Sequence, residues 1–314
     1  MPRRGAGRGV ARGGRHGQRT TAQRRMATAP EPEQSAKRLI INCDDFGSAL
    51  CANDGVEAAL SRGIATSTTL MVPCAWAFDA AGRARAHPEW GVGVHLTHTA
   101  EWPRYRWRPL LGPDRVPGLY GPDGFMWPTV PEVYGHATAD EALAEGTAQI
   151  EQALAWGLRP THIDSHMGVM QLHPAFYDAY LALAARFKLP VRMPGQDQIA
   201  AARMRFAWAD QVHPKARALG IRFPDGLLYG SAPGTTDEAA KAHVLRLLSG
   251  LAPGTTTEML FHPAAAGPEL AAMISSGGLD RVRDLRLLTE DADVRRLLTA
   301  GGIQLVDFRA LASS

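Results

Sequence analysis

The sequence predicts an α/β fold: mostly parallel strands closed into a distorted or incomplete (β/α) barrel. Three observations predict it. From residue 38 onward, short apolar runs alternate with segments of helical period, the pattern of a parallel sheet covered by helices. Runs such as Leu39-Ile40-Ile41-Asn42-Cys43 are nearly continuous in apolar character, as strands buried on both faces are. Carboxylates and imidazoles stand just where those runs stop, which is where ligands meet such sheets. An open doubly wound sheet is the alternative that fits the same pattern.

The elements follow in order. After the first strand, residues 50–62 read as a helix, Ser67–Val72 as a strand, 76–86 as a helix and Gly91–Thr97 as a strand. Residues 100–135 are rich in Pro, Gly and Trp without helical period, and are expected to form one long loop. A loop of that length in a compact domain usually serves function. Thr138-Ala139-Asp140-Glu141 is a capping-box pattern, followed by Leu143, Thr147, Ile150 and Leu154 on one helical face. Thr161–Asp164 is the next strand. Phe176, Tyr180, Leu183 and Phe187 then define the inner face of a helix. Pro190–Met193 reads as a short strand and 210–219 as a helix. A second capping box is expected from Thr235 to Glu238, ahead of an apolar stripe at Val244, Leu247, Leu248 and Leu251. Thr256–Phe261 is a strand, 291–299 a helix and Ile303–Val306 the last strand. No internal repeat is visible.

Two parts differ in composition. The 314 residues carry a formal charge of +3. Residues 1–37 hold nine Lys/Arg against Glu31 and Glu33, so the remaining 277 residues are at −4. The Arg/Gly-rich segment has almost no large apolar side chain to offset its ordering entropy. Residues 1–36 are therefore expected to be a disordered basic tail, and 37–314 a single domain. The tail reads as a solvated extension, or as an over-extended start with Met26 nearer the true one; binding to nucleic acid or an anionic surface is the sharper alternative. A mildly acidic body is poor material for a nucleic-acid groove. No apolar run follows Arg3-Arg4 and none approaches a membrane span. Cys43, Cys51 and Cys74 have neither zinc spacing nor an even count for disulfides, and read as reduced core residues. A cytoplasmic location without membrane partners is the expectation.

Chemistry is concentrated at four strand ends. The first is Asp44-Asp45. Adjacent carboxylates at a buried strand end repel, and burial raises the cost of ionising both. A cation removes the conflict: one carboxylate binds it and the other is free to work on water. The other three ends are Gly93-Val94-His95-Leu96-Thr97, Thr161-His162-Ile163-Asp164-Ser165-His166 and Glu258-Met259-Leu260-Phe261-His262-Pro263. Together they offer carboxylate and imidazole ligands for one divalent metal ion. A lone histidine is more often a satisfied core or surface group, so only the set carries weight.

Asn42-Cys43-Asp44-Asp45-Phe46-Gly47 resembles the Asn-Ala-Asp-Asp-Phe-Gly signature of the YdjC-type (ChbG-like) carbohydrate deacetylases. The other three strand ends resemble that family's later motifs, in order, over about residues 38–308. The resemblance implies a metal-dependent hydrolase that removes N-acetyl groups from amino-sugar mono- or oligosaccharides. It implies Asp45, His95 and His166 as metal ligands, Asp44 as general base and His262 as general acid. It also carries homodimerisation as an expectation. Zinc and magnesium are the expected cations; two histidines and an aspartate suit zinc and also admit manganese, cobalt or nickel. Asp164 has two readings: it orients a metal-binding histidine or a substrate hydroxyl, or it caps the turn after its strand. His162 reads as structural, His98 as a loop residue and His173 as a helix cap. Backbone N–H groups around Phe46-Gly47 are candidate oxyanion donors. Trp102, Tyr105, Trp107, Tyr120, Phe125 and Trp127 either stack on sugar rings or pin the long loop.

The chain departs from the family after Asp164-Ser165-His166. Where the family commonly has a His-x-His-Val-His arrangement, the run here is His166-Met167-Gly168-Val169-Met170. The two later histidines have become Gly168 and Met170, which points to a less polar or differently shaped acyl-sugar. Two other functions satisfy the same residues: a metal-dependent hydrolase or isomerase acting on another small amide, ester or polyol, and a non-catalytic carbohydrate-binding protein. Retention of both Asp44 and His262 argues against the second.

Overall fold

The computed structural model describes residues 35–202, 207–274 and 278–313. The expected tail therefore lies outside the described residues up to position 34. Ala36 is already tied to the body, its carbonyl accepting from Gly254 N at 3.0 Å.

In chain order the elements are β1 (Lys37–Phe46), α1 (Leu50–Ser61), β2 (Ser67–Leu70), α2 (Ala77–Ala86), β3 (Gly91–Leu96), α3 (Val130–His136), α4 (Ala139–Ala155), β4 (Ile163–Ser165) and α5 (Pro174–Phe187). They continue with α6 (Gln196–Ala202), α7 (Val212–Ala218), β5 (Gly226–Tyr229), α8 (Asp237–Ser249), β6 (Thr256–Phe261), α9 (Pro268–Met273), α10 (Leu279–Thr289), α11 (Ala292–Ala300) and β7 (Ile303–Leu305). The strand order is β4-β3-β2-β1-β6-β5, all pairs parallel. β7 adds to the first residues of β1, Lys37–Leu39, while β2 pairs with β1 from Asn42 onward. The sheet curls into an incomplete barrel, as expected, and not an open doubly wound sheet. Pro190–Met193 is not a full strand. It joins β4 through a single bridge, Ile163 to Val191, and through Arg192 N to Ile163 O at 3.1 Å.

Side chains alternate across each strand. Leu39, Ile41, Cys43, Val92, Val94 and Leu96 face the helices and join the large apolar core. On the opposite face, at the amino ends of the strands, Ile40 packs with Phe308 and Leu311. There the His162 ring stacks on Phe308, centroids 3.6 Å apart and 3° from parallel. Higher up, the same face is mostly polar, with buried Asn42, Asp44 and Glu258 beside Leu260.

Several local expectations change. The supposed loop 100–135 ends in α3, whose N-cap Thr129 accepts from Glu132 N; the prolines that hid its period sit at its start, where helices tolerate them. The α4 capping box is present, with Glu141 and Thr138 bonded reciprocally. The buried face of α4, however, carries Ala142, Glu145, Gly146, Gln149, Ile150 and Ala153, and Leu154 is exposed. Glu145 accepts from Leu110 N and Leu111 N, and Gln149 bonds both Thr97 N and Thr97 O, so polar groups turn inward to serve unpaired backbone. The second cap is Thr236, not Thr235. β5, α6, α9 and α10 had no sequence expectation. The cysteines are free and buried, and no helix among the described residues is long and apolar enough to cross a membrane.

Candidate active site

The site begins with a backbone irregularity. Neighbouring residues on a strand face opposite sides, so Asp44 and Asp45 should diverge. The β1–β2 register shifts between Cys43 and Phe46, and Asp45 adopts φ +69°, a left-handed conformation that aspartate tolerates better than most residues. Gly47, at φ +87°, completes the turn; a Cβ there would meet Ala77 Cα at 2.9 Å. The bulge brings both carboxylates to one cleft.

Asp45 Oδ1 is buried without a hydrogen-bond donor. Facing it are His95 Nε2 at 3.5 Å and His166 Nδ1 at 3.4 Å, and those two nitrogens are 3.3 Å apart. A tetrahedral ion bound at about 2.0–2.1 Å needs ligand atoms about 3.3–3.4 Å apart. The three atoms match that spacing, and two imidazole nitrogens and one carboxylate oxygen suit a borderline-soft divalent ion. The far atom of each group is held. His95 Nδ1 meets Asp164 Oδ1 at 2.6 Å, His166 Nε2 meets Glu101 Oε2 at 2.9 Å, and Arg281 Nη2 donates to Asp45 Oδ2 at 2.7 Å. Burial opposes charging these imidazoles, but the surrounding carboxylates win. His95 is raised, chiefly by Asp164, and Glu101 and Asp45 lift His166 to about 10. Burial pushes the Asp45 carboxyl up, yet Arg281 and His166 hold it well below the usual carboxylate range. The potential here favours positive charge.

Asp44 lies on the other side. Arg192 clamps it with two 2.7 Å bonds, and Asn42 Nδ2 donates at 2.8 Å. Arg192 also reaches Asp164 Oδ2 at 2.9 Å and Glu258 Oε1 at 2.7–2.8 Å. One buried guanidinium thus serves three buried carboxylates. Burial raises Asp44, but Arg192 outweighs it and keeps the carboxyl well below its ordinary value. Burial lifts Glu258 to about 7 against the pull of Arg192. Asp44, His95 and Asp164 also lie close enough to share an ion. Their oxygens are engaged by Arg192, Asn42 and Thr69, so the Asp45 trio is the better cation site.

His262, at the end of β6, keeps about a third of its side chain exposed, and its Nε2 is 3.9 Å from Asp44 Oδ2. Its Nδ1 faces Ser231 Oγ at 3.3 Å; Ser231 in turn donates to Asp284, which also accepts from His262 N. Partial burial, then Arg281, draws the ring below its ordinary pKa.

Asp44, Asp45, His95, His166, Asp164 and His262 are thus brought together. Arg192, Glu101, Arg281, Ser231 and Asp284 were missed. Arg192 had a signal: a cation inside an apolar run between Pro190 and Pro194. Arg281 and Asp284 had none, because α10 is charged on most faces. His98 is the loop residue expected, fully buried with its Nε2 on Ala142 O. Two expectations change. His173 stands at the start of α5 but its side chain makes no cap bond. The Gly47 N–H donates to Asn53 Oδ1 at 2.7 Å and is not free for an oxyanion. Met170 is fully buried, so of the two replaced positions only Gly168, beside the half-exposed Met167 at φ +53°, can shape the mouth. Trp102 and Trp107 are buried, and Trp107, Tyr120 and Trp127 each donate to loop backbone, which pins the loop.

Fold and site define a class: an incomplete α/β barrel with a buried histidine–carboxylate centre at the carboxyl ends of its strands, whose spacing could hold a divalent cation. Residues 38–300 match the family described as YdjC-like protein. A carbohydrate deacetylase of Geobacillus stearothermophilus is 33% identical over 86% of this chain and 96% of its own length. One from Thermoanaerobacter pseudethanolicus is 30% identical over 88% and 99%. The crystal structure of a putative cellobiose-phosphate cleavage protein from Enterococcus faecalis superposes with a TM-score of 0.75 at 28% identity, covering 88% of this chain and 99% of that one. The chain belongs to the YdjC-like family.

Proposed function

We propose that this protein is a divalent-cation-dependent hydrolase that removes N-acetyl groups from amino-sugar mono- or oligosaccharides. The observation that carries the reading is the orphaned Asp45 Oδ1 facing His95 Nε2 and His166 Nδ1, with Asp44 and His262 flanking it. The names of the two relatives support the substrate class. Asp45, His95 and His166 would hold the cation, which supplies Lewis acidity for polarising an amide carbonyl and acidifying a water.

The remaining chemistry belongs to side chains. Asp44 receives a proton from the attacking water. The Arg192 clamp keeps it ionised, and so in acceptor form, at every working pH, at some cost in basicity. His262 approaches from β6, about a third of its side chain open to solvent, and delivers a proton to the leaving amine nitrogen. Ser231 gives its own proton to Asp284 and so accepts from Nδ1–H, which fixes the ring with Nε2 facing the cleft; His262 acts as an acid through Nε2 when the ring is in its imidazolium form. Asp164 holds His95 rather than capping a turn, and so supports a ligand.

The test is acetate release from a panel of N-acetylated mono- and oligosaccharides, with and without a chelator. Release that stops on chelation and returns with added zinc or magnesium is expected. No release from any member of the panel sinks the proposal.

A further inference from the structure

The long loop after β3 is tied to the centre at two points. Glu101 meets His166 Nε2 at 2.9 Å with its carboxylate four-fifths buried. The next residue, Trp102, lies under the Arg281 guanidinium at 5.5 Å, and that arginine holds Asp45 Oδ2. The loop segment carrying both is itself seated. Ala100 N donates to Trp127 O at 2.9 Å, Trp107 Nε1 to Thr99 O at 2.8 Å, and Tyr105 Oη to Ser48 O beside the first strand end. Trp107 also packs edge-on against the His166 ring at 6.0 Å. His95 is oriented from within the barrel by Asp164; His166 has no such partner on a strand and takes its anionic partner from the loop.

We propose that Glu101 is a positioning residue for His166, so that seating of the loop 99–127 sets the affinity of the centre for a divalent cation. The inference rests on the reading of Asp45, His95 and His166 as cation ligands. Two nitrogens of His166 compete to face Asp45 and His95. By accepting the Nε2 proton, the Glu101 carboxylate commits Nδ1 to the centre and raises its donor strength, the part that carboxylate–histidine pairs play at metal sites. The aromatics of the loop then have a task that does not require contact with sugar: they hold Glu101 and Arg281 in place.

The experiment is a zinc titration of the full-length protein freed of metal by chelator and dialysis, for the parent, Glu101→Gln, Glu101→Asp and His166→Ala. Visible absorption of the cobalt(II)-loaded proteins and melting of the metal-free proteins accompany it. Glu101→Gln is expected to weaken zinc binding about 10–100-fold, to alter the cobalt spectrum and to leave the metal-free melting temperature unchanged; Glu101→Asp recovers part of the affinity. Parent-like zinc binding by Glu101→Gln, with binding lost in His166→Ala, overturns the positioning role alone. Parent-like binding in both overturns the ligand assignment beneath it. A fall in metal-free melting temperature large enough to account for the weaker binding also overturns the positioning role, leaving Glu101 as a structural residue.

Discussion

Removing the Arg192 guanidinium would leave Asp44, Asp164 and Glu258 facing one another in the barrel with no cation among them. Stranding buried charge in this way costs about 3–5 kcal/mol. Arg192→Met is therefore expected to lower the urea midpoint by that equivalent; a loss below about 1 kcal/mol would mean that water or protonation already balances the three carboxylates. The two aspartates at the end of β1 separate by experiment. Asp45→Ala, like His95→Ala and His166→Ala, should purify with less metal, measured by elemental analysis, and normal content in all three would remove the cation from Asp45. Asp44→Asn should keep its metal and lose about 10²–10⁴-fold in turnover; near-normal acetate release would place the base elsewhere. Asp44 and Asp45 were legible because paired carboxylates at a strand end have few structural explanations. Their convergence on one cleft was not, because it depends on a bulge and a left-handed φ that the strand pattern does not encode.

Helix α1 illustrates the same division among elements. Its period was visible, but its N-cap is Ala49, which has no capping side chain. The cap comes from α9, where Glu269 accepts from Leu50 N at 3.3 Å and Cys51 N at 2.7 Å. Glu269→Ala is expected to cost about 0.5–2 kcal/mol, as loss of an N-cap does, read from chemical denaturation; an unchanged midpoint would show that water replaces the carboxylate. The β3 strand carries a tighter constraint. A Cβ on Gly93 would lie 2.6 Å from the His162 ring, so β3 approaches β4 only with glycine there. The capping box of α4 was readable because both partners lie within four residues. Helix α10, which supplies Arg281 and Asp284, was not, because its buried face includes Arg283 and Asp284 and breaks the apolar stripe.

For the molecule as a whole, acid sensitivity has a named contributor. His162 lies in the barrel floor, and burial pulls its pKa down to about 3. The folded state binds its proton less readily than the unfolded chain, whose histidine titrates near 6.5. Its stabilising share is thus complete above about pH 6.5 and is lost as pH falls toward 3, by up to about 1.4 kcal/mol per pH unit. Urea midpoints at pH 7.5 and pH 5 should differ less in His162→Gln than in the parent; equal slopes would assign the acid sensitivity to other groups. The basic tail is expected to be dispensable for chemistry: a chain beginning at Ser35, which keeps the Ala36 bond to Gly254, should release acetate as the full chain does, and a large loss would give the tail a part in the reaction.

The sequence by itself determined the alternation of strand and helix, the parallel sheet and the four strand ends that bear carboxylates and imidazoles. Those follow from short-range periodicity and from the tendency of a parallel sheet to present its carboxyl ends to ligands. Only the tertiary structure decided which groups stand behind them: Arg192 against Asp44, Asp164 behind His95, Glu101 behind His166 and Arg281 behind Asp45. Each of those partners, Asp164 apart, arrives from a loop, a bridge or a helix lacking a clean apolar stripe. What pairs them is charge compensation in a buried space, and that depends on distance through the fold rather than on spacing along the chain.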